Sequence, residues 1–117
     1  MAIKLGKAIF DGPQAAGDWT PPAGGGVYAV MVRDSRWQPL PYRVLYIGKA
    51  ERFGDGFLRT HPRYWEWCAM AWTPARLYVA SYAAETAEFR DWLEGHLLAH
   101  YRPECNAMAR ADKVLAA

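Results

Sequence analysis

Two short apolar runs, at residues 27–32 and 43–47, constrain the fold of this chain more than any other feature. The first run is apolar at both of its alternating sets of positions, and the second is of the same kind. Because a strand places alternate side chains on opposite faces, such runs predict strands that are buried on both faces. The loop between them is rich in turn formers and contains two prolines, so we expect an antiparallel hairpin.

Length and composition indicate a single domain. The chain has 117 residues, more than half of them apolar, which is enough for a real core. It contains no apolar stretch that could span a bilayer, and its first residues lack the apolar centre of an export signal. Cys68 and Cys105 are the only cysteines, so we expect reduced thiols and a cytoplasmic protein. The formal net charge of +2 is only a weak hint of an anionic partner.

The remaining elements follow from local patterns. Residues 12–25 are rich in glycine and proline and predict a connector, which a short edge strand within residues 4–11 precedes. Residues 77–82 predict a third strand. Residues 84–101 predict the clearest helix, because large apolar side chains recur every four residues, and Pro103 should end it. Shorter helical pieces are expected around residues 57–59 and after Pro62.

We therefore predict an α/β fold with a small three-stranded, mainly antiparallel sheet flanked by helices. In this organisation residues 1–25 are an N-terminal extension and connector, and residues 26–106 form the functional domain. Residues 107–117 are a tail that is either a short helix or frayed.

Two tyrosines are placed to share one face of the sheet. If Tyr28 lies opposite Tyr46, both phenols project from the same side, and Val30 then lies opposite Val44. A shift of one residue would separate them. Core packing would explain either tyrosine alone, because tyrosine is common in strands.

One carboxylate and one arginine could add chemistry to the phenols. Glu94 borders the apolar stripe of the long helix, where a partly desolvated carboxylate needs a cation or hydrogen-bond donors. Either a divalent metal or Arg90 would meet that need. Arg59 follows the second strand, and a planar guanidinium can bridge two oxygens of a phosphoryl group, although most arginines only face solvent.

The order of these residues resembles the GIY-YIG nuclease family. The resemblance is carried by Gly26-Val27-Tyr28, by Tyr46-Ile47-Gly48 with its following lysine, and by an arginine, a glutamate and a closing Pro-x-x-Asn. It extends over most of the chain, from Gly26 to Asn106. It implies two tyrosine strings on neighbouring strands, and hydrolysis of DNA phosphodiester bonds with a single Mg²⁺ or Mn²⁺.

The resemblance also implies roles for single residues. Tyr28 would activate or position the attacking water, and Tyr46 would line the same site. Arg59 would hold the scissile phosphate, and Glu94 would ligate the metal ion.

Other residues would support this site. Lys49 would assist a phenol or contact phosphate, and Asn106 would brace the site. The stretch between the second string and Arg59 is longer than in many members, so Arg52 or Arg63 is an alternative counterpart. His61 follows Arg59 by two residues, closer than the family's histidine, and Arg63 occupies the position one turn after Arg59. Both would bind the substrate, and a catalytic role for His61 stays open.

Several alternatives stay open at this point. A free phenol has a pKa of about 10, so either Lys49 or the metal lowers that pKa, or the tyrosine only orients water. His96 and His100, one helical turn apart, could instead bind zinc. The same fold could bind nucleic acid without cutting it, or bind another protein. Sequence specificity would come from the loops, from a homodimer or from a partner protein.

Overall fold

A computed structural model describes residues 1–37 and 41–107 and contains one five-stranded antiparallel sheet in the order β1-β2-β5-β3-β4. The chain is α/β, as predicted. The strands are β1 Ala2–Leu5, β2 Ala8–Ala15, β3 Gly26–Arg33, β4 Tyr42–Ala50 and β5 Leu77–Ala83. The helices are α1 Tyr64–Ala71 and α2 Ala87–Tyr101, with short 3₁₀ turns at Ala16–Asp18 and Pro74–Arg76.

The prediction of three strands was wrong, because the N-terminal residues add two more. β1 and β2 form a hairpin, and β2 pairs with β5 at the side opposite β3. The second of these strands runs into the predicted connector, and its register shifts between Asp11 and Gln14. Because a proline cannot donate a hydrogen bond to a neighbouring strand, Gly12-Pro13 in the sequence suggests that no strand continues through it. In the structure the dipeptide instead lies at a bulge within β2.

The β3–β4 hairpin exists as predicted, but its register differs from the expected one. Tyr28 lies opposite Gly48 and Val30 lies opposite Tyr46, whereas Tyr28 was expected opposite Tyr46. The register then shifts between Val30 and Met31. Since the difference is two residues, the parity is kept, and both phenols still face the same side of the sheet.

The sheet has a separate apolar core on each face. The first core lies on the α1 side and includes Tyr28, Leu45 and Trp67, with Tyr46 packed against it. The second core lies on the α2 side and includes Ile47 and the α2 leucines. The central strands are thus covered on both sides, as their uninterrupted apolar runs predict.

The helices begin and end near the predicted positions. Thr86 caps α2 by accepting a hydrogen bond from the N–H of Phe89, and Arg102 ends the helix in the left-handed conformation just before Pro103. α1 begins two residues after Pro62. The helical piece expected around residues 57–59 is instead a series of turns.

Two further sequence predictions concern the ends and the membrane. Of the tail at residues 107–117, all but Ala107 lies outside the described residues. Within residues 1–37 and 41–107, no helix is long and apolar enough to cross a membrane.

Candidate active site

The two tyrosines form a pair on the α1 side of the sheet. Their ring centroids are 6.1 Å apart, their ring planes are tilted by 36°, and each phenol affects the pKa of the other. The side chain of Tyr28 is almost completely buried, whereas Tyr46 is only partly buried. Tyr46 is therefore the more accessible of the two phenols.

Glycine at position 48 allows this pair to form. A Cβ atom at Gly48 would lie 2.5 Å from the hydroxyl oxygen of Tyr28 and 2.6 Å from its Cζ atom. The Tyr28 ring therefore covers the backbone at Gly48, and any side chain there would displace the phenol. Gly26 has a similar requirement, because a Cβ atom there would collide with the carbonyl oxygen of Tyr82. The glycines of both strings are thus explained by close packing.

Both phenols stay protonated at neutral pH. Burial is the largest cause that raises the pKa of Tyr28 far above its usual value, and the charges of Tyr46 and Glu94 add to it. Burial and the charge of Glu94 also raise the pKa of Tyr46, while Arg63 lowers it. Lys49 is not among the causes that shift the pKa of either phenol, although a lowering by Lys49 was one alternative from the sequence. With these raised pKa values, the phenols keep their protons at neutral pH and can donate hydrogen bonds.

Glu94 lies on α2, which packs on the opposite face of the sheet from the phenol pair, and it affects the pair through its charge. Its side chain is 21% exposed, and Lys49 Nζ lies 3.7 Å from its Oε1 atom. Lys49 also contacts Asp91, one helical turn before Glu94. Because the charge of Glu94 raises the pKa of both phenols, the acid and the phenols lie within electrostatic range of one another.

Arg90 does not pair with Glu94, which was the alternative from the sequence. Arg90 is buried, and its Nη1 atom donates hydrogen bonds of 2.9 Å to the carbonyl oxygens of Ala84 and Glu85. It holds the chain that enters α2.

His61 packs against the phenol pair from the turns before α1. Its ring centroid lies 5.3 Å from that of Tyr46 and 4.6 Å from that of Trp67. Burial and the nearby Arg63 lower its pKa below the usual value, so the ring is neutral at pH 7. Nδ1 accepts the backbone N–H of Arg63, so the neutral ring carries its proton on Nε2 and donates from there.

The arginines differ in their distance from the phenols. Arg63 acts on Tyr46, lowering its pKa, and its guanidinium also pairs with Glu66. Arg59 instead acts on Tyr64, lowering its pKa, and Tyr64 belongs to neither tyrosine string. No described contact joins Arg52 to the pair. Of the three candidates, Arg63 is therefore the one that the structure brings to the phenols.

Asn106 braces the strand that carries Tyr46. Its side-chain amide donates to the carbonyl oxygen of Ile47, and its Oδ1 atom accepts the N–H of Ile47, both at 2.8 Å. β4 is an edge strand, so these two backbone groups have no neighbouring strand. The asparagine therefore takes the place of a strand next to the site.

Glu94 and Asp91 are two carboxylates that could ligate a hard metal ion, and both pair with Lys49 in this structure. Within the described parts of the chain, no group of three or more His, Cys, Asp and Glu could hold a metal. Mg²⁺ commonly binds one or two carboxylates, completing its shell with water and phosphate oxygens. Glu94, with Asp91 one turn away, meets that minimum. His96 stacks on Trp92, and no zinc-binding group among the described residues includes it.

Sequence reasoning missed Asp91 and Trp67 as neighbours of the site. Asp91 could have been found from its spacing, because residues three apart on a helix share a face with Glu94. Trp67 gave no such indication, since its contact with Tyr46 depends on how α1 packs on the sheet.

Comparison with protein-family models, with curated proteins and with solved structures gives no match to this chain.

Proposed function

We propose that this chain is a GIY-YIG-type endonuclease that hydrolyses DNA phosphodiester bonds with a single Mg²⁺ or Mn²⁺. The observation that carries the proposal is the action of Glu94 on both phenols of the Tyr28–Tyr46 pair. Glu94 thereby connects the phenols of β3 and β4 with Lys49, which lies near the end of β4. Metal-assisted hydrolysis of a phosphodiester can use such a combination of metal ligand, hydrogen-bond donors and cation.

The protonated phenols would orient the reacting groups. With its pKa raised, Tyr46 would donate a hydrogen bond to the attacking water or to a phosphate oxygen, and Tyr28 would hold Tyr46 in place. The Nε2 proton of His61 offers another donor beside Tyr46.

Glu94 would hold the metal ion, with Asp91 close enough to bind one of its water ligands. When bound, such an ion lowers the pKa of its water and neutralises charge on the phosphate. Lys49 now pairs with both carboxylates, so it would have to move toward the phosphate as the ion binds.

The phosphate ligand is assigned to Arg63 in preference to Arg59. Arg63 already acts on Tyr46, whereas Arg59 contacts Tyr64. Guanidinium groups bind phosphate oxygens in pairs and stabilise the charge of the transition state. In this assignment Glu66 keeps Arg63 oriented while DNA is absent.

Nicking of supercoiled plasmid in Mg²⁺ or Mn²⁺ tests the proposal. Glu94→Gln should abolish nicking and leave the melting temperature nearly unchanged, because the side chain is only partly buried. Glu88→Gln, at an exposed position in the first turn of the same helix, is the matched control and should cut as the wild type does. Equal nicking by wild type and Glu94→Gln would refute the assignment.

The arginine assignment has its own comparison. Arg63→Gln should reduce nicking at least a hundredfold, and Arg59→Gln should have a much smaller effect. The opposite order would place Arg59 at the phosphate. Because Arg63 is partly buried, a thermal melt of each variant must show that it is folded.

A DNA-binding module that does not cut is the second candidate. The observation that favours it is the position of Lys49, which pairs with both Asp91 and Glu94 and so occupies the carboxylates that a metal ion would need. Such a module would bind DNA equally well with and without EDTA and would nick no plasmid.

Cys68 and Cys105 are buried and are not bonded to each other, which supports a reducing, cytoplasmic setting for either function.

A further inference from the structure

A groove of about 400 Å³ lies between α2 and the β1–β2 hairpin. Small-molecule sites have volumes of this order and combine apolar or aromatic walls with a few polar groups. The groove fits that description. It is lined by Lys7, Ala8, Ile9, Tyr82, Phe89, Trp92, Leu93 and His96.

The wall of the groove is a continuous series of aromatic rings. Tyr82 and Phe89 have their centroids 5.8 Å apart, and Phe89 and Trp92 follow at 5.9 Å. Trp92 and His96 are stacked, with centroids 5.5 Å apart and ring planes within 8° of parallel. The positions 89, 92 and 96 lie on one side of α2, so the helix presents flat rings along its length.

The rings of Phe89 and Trp92 are not part of the core, although Tyr82 packs against it. Trp92 is 60% exposed and Phe89 is 39% exposed, and Ile9 across the groove is 66% exposed. Exposed apolar groups that form one patch, as opposed to single residues, commonly mark a binding site.

The charge of the groove favours an anionic ligand. Its ionisable lining residues are Lys7, Tyr82 and His96, and no carboxylate is among the lining residues. Glu88 lies one turn before Trp92 and outside the lining. A flat apolar wall with a cation at its edge suits a planar aromatic group that carries a negative charge.

We infer that this groove binds a base of single-stranded nucleic acid, with the ring of Trp92 stacked on the base and Lys7 at a phosphate. Stacking on exposed aromatic side chains, with lysine along the backbone, is how proteins bind single strands without reading their sequence. Because the wall consists of flat aromatic rings, it favours a nucleic-acid base over an aliphatic peptide side chain.

The groove is separate from the candidate active site. Glu94 faces Lys49 on β4, whereas Trp92 faces the β1–β2 hairpin at the other end of the sheet. The inference takes from the proposed function only that the partner is a nucleic acid. It does not require that this nucleic acid is cleaved.

Fluorescence anisotropy with a labelled ten-residue oligothymidylate in EDTA tests the inference. Trp92→Ala should weaken binding about tenfold, and Trp92→Phe should retain most of the affinity, because a phenyl ring still stacks. Trp72→Ala is the matched control, since Trp72 is 86% exposed and lies at the end of α1. Equal losses for Trp92→Ala and Trp72→Ala would overturn the assignment.

Two further arms identify the ligand. An abasic oligonucleotide of the same length should bind about tenfold more weakly than oligothymidylate, and Lys7→Gln should reduce the slope of log affinity against log salt by about 0.7. Equal binding of the abasic strand would overturn stacking. Displacement by equimolar thymidine monophosphate, or by an apolar peptide, would identify a free nucleotide or a protein as the ligand instead.

The outcome is separable from that of the nicking assay. Glu94→Gln should bind oligothymidylate as the wild type does. If no chain nicks plasmid but Trp92→Ala loses affinity, this inference stands and the proposed function fails. If wild type nicks plasmid and Trp92→Ala binds oligothymidylate as wild type does, the proposed function stands and this inference fails.

Discussion

Replacing Gly48 by alanine tests whether the Tyr28 ring covers the backbone at that position. The added Cβ would lie 2.5 Å from the phenol oxygen and 2.6 Å from Cζ, well inside normal contact distance. Tyr28 is almost completely buried, so its ring cannot swing into solvent. Forcing a methyl group into a filled site costs about 1–3 kcal/mol.

One effect opposes this cost. Alanine loses less backbone entropy than glycine on entering a strand, which favours the variant by about 0.5–1 kcal/mol. Because the Cβ atom would lie within 3 Å of three atoms of a buried ring, the cost of the added methyl group falls in the upper half of its range, about 2–3 kcal/mol. The net expectation for Gly48→Ala is then a loss of about 1–2.5 kcal/mol in the free energy of unfolding, or roughly 4–10 °C in melting temperature for a domain of this size.

Gly95 provides a matched control for the same substitution. It lies in α2, and a Cβ atom added there would have no described atom beyond its own helix backbone within 4 Å, so alanine meets open space. Glycine in a helix costs about 1 kcal/mol relative to alanine, so Gly95→Ala should raise stability by that amount. The two variants should therefore shift in opposite directions.

Urea denaturation of the three proteins, followed by circular dichroism, provides the measurement. If Gly48→Ala is as stable as wild type, or more stable, the packing of Tyr28 over Gly48 is wrong. The explanation of the second tyrosine string would then fail with it.

Three other substitutions have defined outcomes. Arg90→Met should cost about 2–4 kcal/mol in urea denaturation, because two carbonyls lose a charged donor; a loss below about 1 kcal/mol would contradict that role. Asn106→Ala should cost about 2–3 kcal/mol and speed hydrogen exchange at Ile47, and unchanged exchange would exclude the brace. Because His61 has a lowered pKa, its burial stabilises the fold above the ordinary histidine pKa of about 6.5, and this contribution is lost as pH falls through the lower folded value. Wild type should thus lose more stability than His61→Gln between pH 7.5 and 5, and parallel losses would refute the shift.

The central hairpin could be predicted from the sequence because its two strands are marked by residues that are close together along the chain. Strand periodicity is two, so the parity of Tyr28 and Tyr46 survived a register error of two residues. The register itself depends on a bulge next to Val30, and no local pattern marks a bulge of that kind. The capped helix that carries Glu94 was predictable for the same local reasons.

The missing strands and the arginine assignment depend on tertiary structure. β2 is a strand because it pairs with β5, which is distant in the sequence. Gly12-Pro13 makes the same residues look like a loop when only the sequence is read. Arg59 and Arg63 are equally plausible along the chain. Only the path of the turns before α1 takes Arg59 to Tyr64 and Arg63 to Tyr46.

Paramagnetic broadening by Mn²⁺ tests most directly whether an ion at Glu94 lies beside both phenols. In NMR spectra of tyrosine-labelled protein at neutral pH, the rings of Tyr28 and Tyr46 should broaden at the lowest Mn²⁺ concentrations, while that of Tyr78 stays sharp. Glu94→Gln should remove the selective broadening. Uniform broadening of all tyrosines, or the same selective broadening in Glu94→Gln, would contradict the proposed site.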